Sequence, residues 1–145
     1  MAFLANNYNR KKISFKKGSG SYLIATNGKR YLDFCSGIAV NSLGHANPRL
    51  VKALNKQAKK VWHVSNAFTI PEGEELAKKL VKKTFADSVI FQNSGTEATE
   101  VAIKAARRYF YSIGKPKKNR ILCVKNSFHG RTIAAIFASG SKKMT

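Results

Sequence analysis

The stretch Ser88-Val89-Ile90-Phe91-Gln92-Asn93-Ser94-Gly95-Thr96-Glu97 decides the fold class of this 145-residue chain. Its first five residues are a short apolar run of the kind found in buried strands, and residues 97–111 predict a long helix. After a linker, residues 121–124 form a second apolar run. Strand, tight turn, helix and strand in this order predict an α/β fold in which the two strands lie parallel in one sheet.

The turn at residues 93–96 is a candidate anion site. Where a strand delivers the chain to a helix, free backbone N–H groups meet the positive end of the helix dipole. Gly95 permits close backbone approach, and the hydroxyls of Ser94 and Thr96 can add hydrogen bonds. A simple capping turn without a ligand, with Ser94 or Thr96 as the N-cap, fits the same spacing equally well. Both interpretations stay open on the sequence of the turn alone.

A second candidate loop, residues 126–132, follows the second predicted strand. Ligands of open α/β sheets bind outside the carboxyl ends of the strands, so this loop falls at the expected crevice. Phe128 could stack on a planar ring, and Arg131 could bind a carboxylate through two parallel hydrogen bonds. Core packing of Phe128 and a surface ion pair of Arg131 are the alternatives. Together the two loops predict a site for an anionic aromatic cofactor and an acidic substrate.

The first half of the chain contains clear local signals. Asn27-Gly28 between two apolar runs predicts a hairpin. Asn47 followed by Pro48 predicts the start of a helix, whose apolar residues are spaced to bury one face. A second helix is expected to begin near Pro71, with glutamates in its first turn and lysines at its end, as the helix dipole favours.

Composition sets the broad class. With 43% hydrophobic residues the chain is expected to form one folded domain with a real core. Its 27 Lys and Arg against 7 Asp and Glu give a formal charge of +20, which raises nucleic acid as a partner. The basic residues are mostly lysines spread over the whole length, a pattern that favours solvated helix faces over a nucleic-acid site. A basic nucleic-acid-binding module is kept as the alternative function.

The remaining polar side chains give weak signals. Cys35 and Cys123 stand in apolar runs without metal-ligand spacing, so we expect buried reduced thiols and no metal site. His45 and His63 show no partner in the sequence, and packing or loop hydrogen bonding is favoured for both over catalysis. No apolar stretch is long enough to span a bilayer, and no secretory signal is seen. We expect a cytoplasmic protein without membrane contact.

Several sequence blocks resemble one enzyme family in order and spacing. From about Gly20 onward the chain is similar to the class III pyridoxal-phosphate-dependent aminotransferases, and within them it most resembles the acetylornithine aminotransferases. The similarity rests on Tyr31-Leu32-Asp33-Phe34, Gly37-Ile38-Ala39-Val40-Asn41, Leu43-Gly44-His45-Ala46-Asn47-Pro48, Trp62-His63-Val64-Ser65-Asn66, Asn93-Ser94-Gly95-Thr96-Glu97-Ala98 and Phe128-His129-Gly130-Arg131-Thr132.

The resemblance implies a fold-type I transferase, of which this chain holds the N-terminal segment and the first part of the large domain's mostly parallel sheet. An arm over residues 1–20, a small-domain segment over 21–70 and the start of a truncated large cofactor-binding domain over 71–145 are the expected divisions. Such enzymes run to about four hundred residues by this resemblance, so the lysine that forms the Schiff base and the aspartate on the pyridine nitrogen are expected beyond residue 145. No catalytic residue is therefore assigned within the chain, and the chain alone is expected to be inactive.

The resemblance also implies ligands and roles. Gly95 and Thr96 match the residues that hold the phosphate of pyridoxal 5′-phosphate, Phe128 the aromatic packed on its ring, and Arg131 the arginine that receives the substrate α-carboxylate. The implied reaction moves the δ-amino group of N2-acetyl-L-ornithine to 2-oxoglutarate in arginine biosynthesis, in a homodimer. Ornithine and 4-aminobutyrate aminotransferases of the same class are the alternatives. The residues Ile38 and His129 favour the acetylated substrate, because an aromatic residue and a tryptophan are expected there in ornithine aminotransferases.

Overall fold

The computed structural model describes residues 3–140, and the chain divides into two compact units, Met1–Thr69 and Ile70–Thr145. The first two residues of the predicted arm and the last five of the predicted large-domain segment lie outside the described residues. The division between the units falls at the residue before the predicted boundary at 70. The three predicted domains themselves stay a prediction.

The first unit contains a three-stranded antiparallel sheet in the order β1 (Phe15–Ser19), β2 (Tyr22–Ala25) and β3 (Arg30–Leu32). The hairpin between β2 and β3 confirms the prediction from Asn27-Gly28. Gly28 has a φ of 85°, a conformation that glycine adopts without steric cost, and the Asn27 side chain accepts a hydrogen bond from the Lys29 N–H at 3.1 Å. β1 lies within the predicted arm, so that part of the arm is a paired strand.

A short turn of left-handed backbone follows the sheet. α1 (Ser36–Ala39) has positive φ at every residue, from 46° at Ser36 to 63° at Gly37 and Ile38. Left-handed backbone costs about 1–2 kcal/mol for each residue that carries a Cβ. Asp33 offsets part of this cost, because its carboxylate accepts hydrogen bonds from the N–H groups of Cys35 at 3.0 Å and Ser36 at 2.9 Å.

The helix α2 (Pro48–Ala58) begins as predicted. The Asn47 side chain accepts from the N–H of Arg49 at 3.0 Å and of Leu50 at 3.4 Å, and Pro48 occupies the first turn, where its missing N–H costs nothing. The predicted burial of the apolar face is wrong for the described chain, since Leu50 is 53% exposed and Leu54 70% exposed. Periodicity marks the face that a helix can bury, but it does not supply the surface that covers it.

The second unit contains α3 (Pro71–Val81), α4 (Gly95–Ser112) and α5 (Ile133–Ser139). The predicted α3 is confirmed, with Glu72 and Glu74 in its first turn and lysines in its last. The long helix α4 is also confirmed and extends by two residues at its N-terminus and one at its C-terminus. α5 was not predicted. It packs against α4 and contains Ala135, which is fully buried.

The two predicted parallel strands are not formed in the described chain. Residues 88–92 and 121–124 carry no strand assignment, and the sheet of the first unit is the one sheet found within residues 3–140. Ile90 is 67% exposed and Leu122 is fully exposed, so these runs are not buried either. An apolar run gives a segment the composition of a strand, but the ladder hydrogen bonds require a neighbouring strand, which residues 3–140 do not offer.

The described residues bury little apolar surface. Ala25 and Ala135 are the buried hydrophobic residues within positions 3–140, so the expected single domain with a real core is wrong for the described chain. Cys35 is exposed and Cys123 is half-buried, which corrects the expectation of buried thiols. Composition measures the capacity of a chain to bury surface, whereas burial itself depends on the elements that meet.

Candidate functional site

The N-terminus of α4 is a structured turn. Ser94 is the N-cap, with extended backbone, and its Oγ accepts from the Glu97 N–H at 3.3 Å. The same hydroxyl donates to the Glu97 carboxylate at 2.8 Å, which ties the cap to the first turn of the helix. The N–H groups of Gly95 and Thr96 come first in the helix and have no intrahelical acceptor. The capping turn that the sequence left open is therefore present, and it still leaves two backbone donors for an anion.

Open space lies next to Gly95. A Cβ built on Gly95 would meet no other atom within 4 Å, and its φ is not positive, so the backbone conformation does not require glycine. The absence of a side chain instead leaves room for a ligand to approach the backbone N–H groups closely.

The predicted second loop lies against this turn. Gly130 is buried and has a φ of 122°. A Cβ at this position would stand 2.1 Å from the Thr96 Oγ1, far inside any real contact distance. Thr132 completes the contact, because its Oγ1 lies 3.3 Å from the Oγ1 of Thr96 and also donates to the carboxylate of Glu100. The structure thus joins two segments that are more than 30 residues apart in the sequence.

His129 is held within its own loop. The Ser127 hydroxyl donates to the Val124 carbonyl at 2.6 Å and lies 2.8 Å from the His129 Nε2. Because the single hydroxyl proton of Ser127 goes to the carbonyl, the Ser127 oxygen is the acceptor and the His129 Nε2–H the donor in this contact. This orders the imidazole beside Phe128 and Gly130.

All four predicted site residues line one cavity. Its volume is about 400 Å³, within the usual range for small-molecule sites. Phe128 is 65% exposed, so it is not a core residue, and its ring is open to a ligand. The residues that line the cavity are Gly95, Thr96, Thr99, Phe128, His129, Gly130 and Arg131.

Three residues at this site were missed by sequence reasoning. Thr99 lies one turn after Thr96 on α4 and lines the cavity. Glu100 and Thr132 link α4 to the start of α5. The helical spacing of three and four residues from Thr96 was the available signal for Thr99 and Glu100, while nothing in the sequence indicated their partner.

The histidines of the first unit differ from each other. His45, for which the sequence showed no partner, places its Nε2 2.7 Å from the Asp33 Oδ2. This hydrogen bond is the main cause that lowers the pKa of Asp33, and the bonds from Ser36 and Cys35 act in the same direction. His63 is exposed. The favoured loop hydrogen bonding of His45 is present, and it joins the end of the sheet to the next loop.

Two further findings concern residues 3–140 only. Within this range no group of three or more His, Cys, Asp or Glu side chains is arranged to hold a metal ion. No helix there combines the length and apolar character needed to cross a membrane.

Comparison with known proteins gives a consistent result. Residues 3–145 match the family described as aminotransferase class-III. The acetylornithine aminotransferase of Agrobacterium fabrum is 54% identical over 140 residues, which are 97% of this chain and 35% of that protein. The chain thus spans about a third of the length of the curated relatives it matches.

Solved structures agree with this match. The N-acetylornithine aminotransferase from Stenotrophomonas maltophilia K279a superimposes with a TM-score of 0.77 at 41% identity, over 85% of this chain and 34% of that one. The ornithine aminotransferase from Toxoplasma gondii ME49 gives a TM-score of 0.84 at 29% identity, over 92% of this chain and 32% of that one. The predicted fold class, part of a fold-type I transferase, is confirmed, and the chain belongs to the class-III aminotransferase family.

Proposed function

We propose that this chain is part of an aminotransferase that moves the δ-amino group of N2-acetyl-L-ornithine to 2-oxoglutarate, with pyridoxal 5′-phosphate as the cofactor. The observation that carries the proposal is the cavity at the N-terminus of α4, where the four residues assigned from the sequence line one wall. Family membership and the 54% identity to an acetylornithine aminotransferase support the same reaction class.

The turn fits the phosphate of this cofactor. The N–H groups of Gly95 and Thr96 at the positive end of an 18-residue helix are suited to a dianion, and the open space beside Gly95 lets it approach. Gly95 and Thr96 would hold the phosphate through these backbone donors. When bound, the cofactor supplies the electron sink for carbanion chemistry, which no side chain of the protein provides.

Two residues of the second loop would orient the other ligands. Phe128 has an exposed ring at the wall of the cavity and would pack on the face of the pyridine ring. Arg131 would receive the α-carboxylate of the amino donor through its planar pair of N–H groups. With the carboxylate held at one end, the δ-amino group at the other end of the substrate is the group presented for transfer.

The acetylated donor is supported over ornithine by sequence identity. The solved N-acetylornithine enzyme is 41% identical to this chain, compared with 29% for the solved ornithine enzyme. The lysine that forms the Schiff base and the aspartate on the ring nitrogen would lie beyond residue 145. A homodimer in the cytoplasm completes the proposal, by analogy with the family.

The experiment that tests this function uses the full reading frame that encodes the chain. Acetylornithine, ornithine and 4-aminobutyrate are compared as amino donors to 2-oxoglutarate by their kcat/KM values. A preference for acetylornithine of at least about tenfold, equal to about 1.4 kcal/mol in transition-state binding, is expected. A preference for either other donor would reject the substrate, and tight, steeply salt-dependent binding of nucleic acid without transaminase activity would favour the basic binding module instead.

A further inference from the structure

Thr132 stands at the N-cap position of α5 but does not cap that helix. Its side chain accepts no bond from the first turn of α5, although threonine is among the residues that commonly do so. The hydroxyl donates instead to the carboxylate of Glu100 on α4. The start of α5 is therefore tied to a neighbouring helix at the expense of its own cap.

The direction of the hydrogen bonds follows from the number of protons. A carboxylate only accepts, so the one proton of the Thr132 hydroxyl goes to Glu100. In the 3.3 Å contact between the two threonine hydroxyls, Thr96 is then the donor and Thr132 the acceptor. The hydrogen bonds therefore run from Thr96 to Thr132 and from Thr132 to Glu100. As a consequence, Thr96 offers an anion its backbone N–H, while its hydroxyl proton is directed to Thr132.

The link connects the two halves of the candidate site. Glu100 lies four residues after Thr96, on the same face of α4, one turn below the phosphate-binding turn. Thr132 directly follows Arg131, and Gly130 packs on Thr96 in the same place. A bond from Thr132 to Glu100 therefore fixes the position of the loop that carries Phe128 and Arg131.

We propose that Glu100 and Thr132 are positioning residues that form a latch, defined as the hydrogen bond between the Thr132 hydroxyl and the Glu100 carboxylate. The latch holds the Phe128–Arg131 loop against the N-terminus of α4. The groups that would bind the phosphate, the ring and the carboxylate then stay at fixed distances from one another. The inference rests on the proposed function for its ligand, and on the contacts of residues 96–132 for its geometry.

Hydrogen exchange in the protein expressed from the full reading frame, prepared without cofactor, tests the latch without any ligand. The Ile136 N–H donates to the Thr132 carbonyl at 2.8 Å and so reports on the start of α5. Glu100→Ala and Thr132→Val are each expected to speed amide exchange at Ile136 about threefold to tenfold, the range for losing one partly exposed hydrogen bond. Thr132→Ser and Glu100→Gln keep a donor and an acceptor and are expected to restore slow exchange. The double variant Glu100→Ala/Thr132→Val is expected to be no worse than either single variant, since both remove the same bond.

Ligand binding gives the second measurement. Pyridoxine 5′-phosphate carries the ring and phosphate but no aldehyde to react with lysines, and its affinity is read from the amide shifts of Gly95 and Thr96. The latch variants are expected to weaken binding about threefold, and Thr132→Ser to recover it. Glu74→Ala, an exposed glutamate on α3, is the matched control and is expected to change neither measurement.

The two proposals fail in different ways. If the parent protein binds neither pyridoxine 5′-phosphate nor inorganic phosphate, the proposed phosphate site at Gly95 and Thr96 is rejected. The exchange rates still show whether the latch is present. If Glu100→Ala leaves the exchange of Ile136 unchanged, or if Thr132→Ser behaves like Thr132→Val, the latch is overturned whatever the protein binds. Circular dichroism of each variant separates loss of the latch from loss of the helices.

Discussion

Gly130→Ala is the sharpest test of how the two loops of the site meet. The added Cβ would lie 2.1 Å from the Oγ1 and 2.3 Å from the Cβ of Thr96, and 3.0 Å from its Cα. Rotation of the Thr96 side chain would relieve only the first of these contacts, because the Cβ and Cα belong to the first turn of α4. The loop must therefore move away from the helix, which separates Arg131 from the turn at residues 93–96.

The expected cost has two parts. Overpacking of a well-fitted contact costs about 1–3 kcal/mol. A residue with a Cβ at a strained positive φ, here 122°, costs about 1–3 kcal/mol more. The substitution is thus expected to destabilise the loop–helix contact by about 2–6 kcal/mol. If the loop moves partly away from α4, the steric cost falls, but the contact between the loop and the helix is weakened.

Gly114→Ala is the matched control for the part of the cost that comes from backbone strain. Gly114 also has a positive φ, 73°, but a Cβ built there meets nothing within 4 Å. Its cost is expected to be about 1–2 kcal/mol, from the left-handed backbone alone. Urea unfolding of the protein from the full reading frame, followed by far-UV circular dichroism, with amide exchange of the first turn of α4, measures both variants. Equal losses for Gly130→Ala and Gly114→Ala would refute the close contact between Gly130 and Thr96.

Two further predictions concern the first unit. Asn47→Ala is expected to destabilise α2 by about 1 kcal/mol, and Asn47→Gly by only a few tenths of a kcal/mol. Both variants lose the side-chain cap, but glycine tolerates the backbone conformation of the cap position. Amide exchange in the helix measures both. Acid is expected to release the turn held by Asp33. Since hydrogen bonds from His45, Ser36 and Cys35 lower the pKa of Asp33 in the folded state, its stabilising contribution is present above about pH 4 and is lost as the pH falls through the lowered value. Exchange at Cys35 and Ser36, corrected for intrinsic rates, should rise over that window in the parent chain, and Asp33→Asn should remove the pH dependence; a parent chain without it would contradict the role of the carboxylate.

Local chemistry explains which elements the sequence could predict. Asn47 with Pro48, and Asn27 with Gly28, act on their own neighbouring backbone, so their effect is visible within a few residues. The turn at residues 93–96 belongs to the same class, because its donors arise from the start of a helix. The residues that cause these features are therefore neighbours in the sequence.

Contacts between distant segments explain what could not be predicted. The bond between His45 and Asp33 spans 12 residues, and that between Thr132 and Glu100 spans 32. The runs at residues 88–92 and 121–124 have strand composition, yet composition does not supply the neighbour that a ladder needs. α5 is only seven residues long, and over so short an apolar run periodicity does not distinguish a helix from a strand.

The contacts around the candidate site of the second unit concern the binding of ligands. The cap of α4, the contact of Gly130 with Thr96 and the bond from Thr132 to Glu100 all arise between residues 94 and 132, within the second unit. In the proposed function, each of them would position a group that binds a ligand. In the proposed function, the spacing of phosphate and carboxylate recognition would therefore be set by the packing of α5 and its preceding loop against α4. A substitution such as Gly130→Ala should accordingly act on binding of the ligands first and on the rate of the chemical step only through their misplacement.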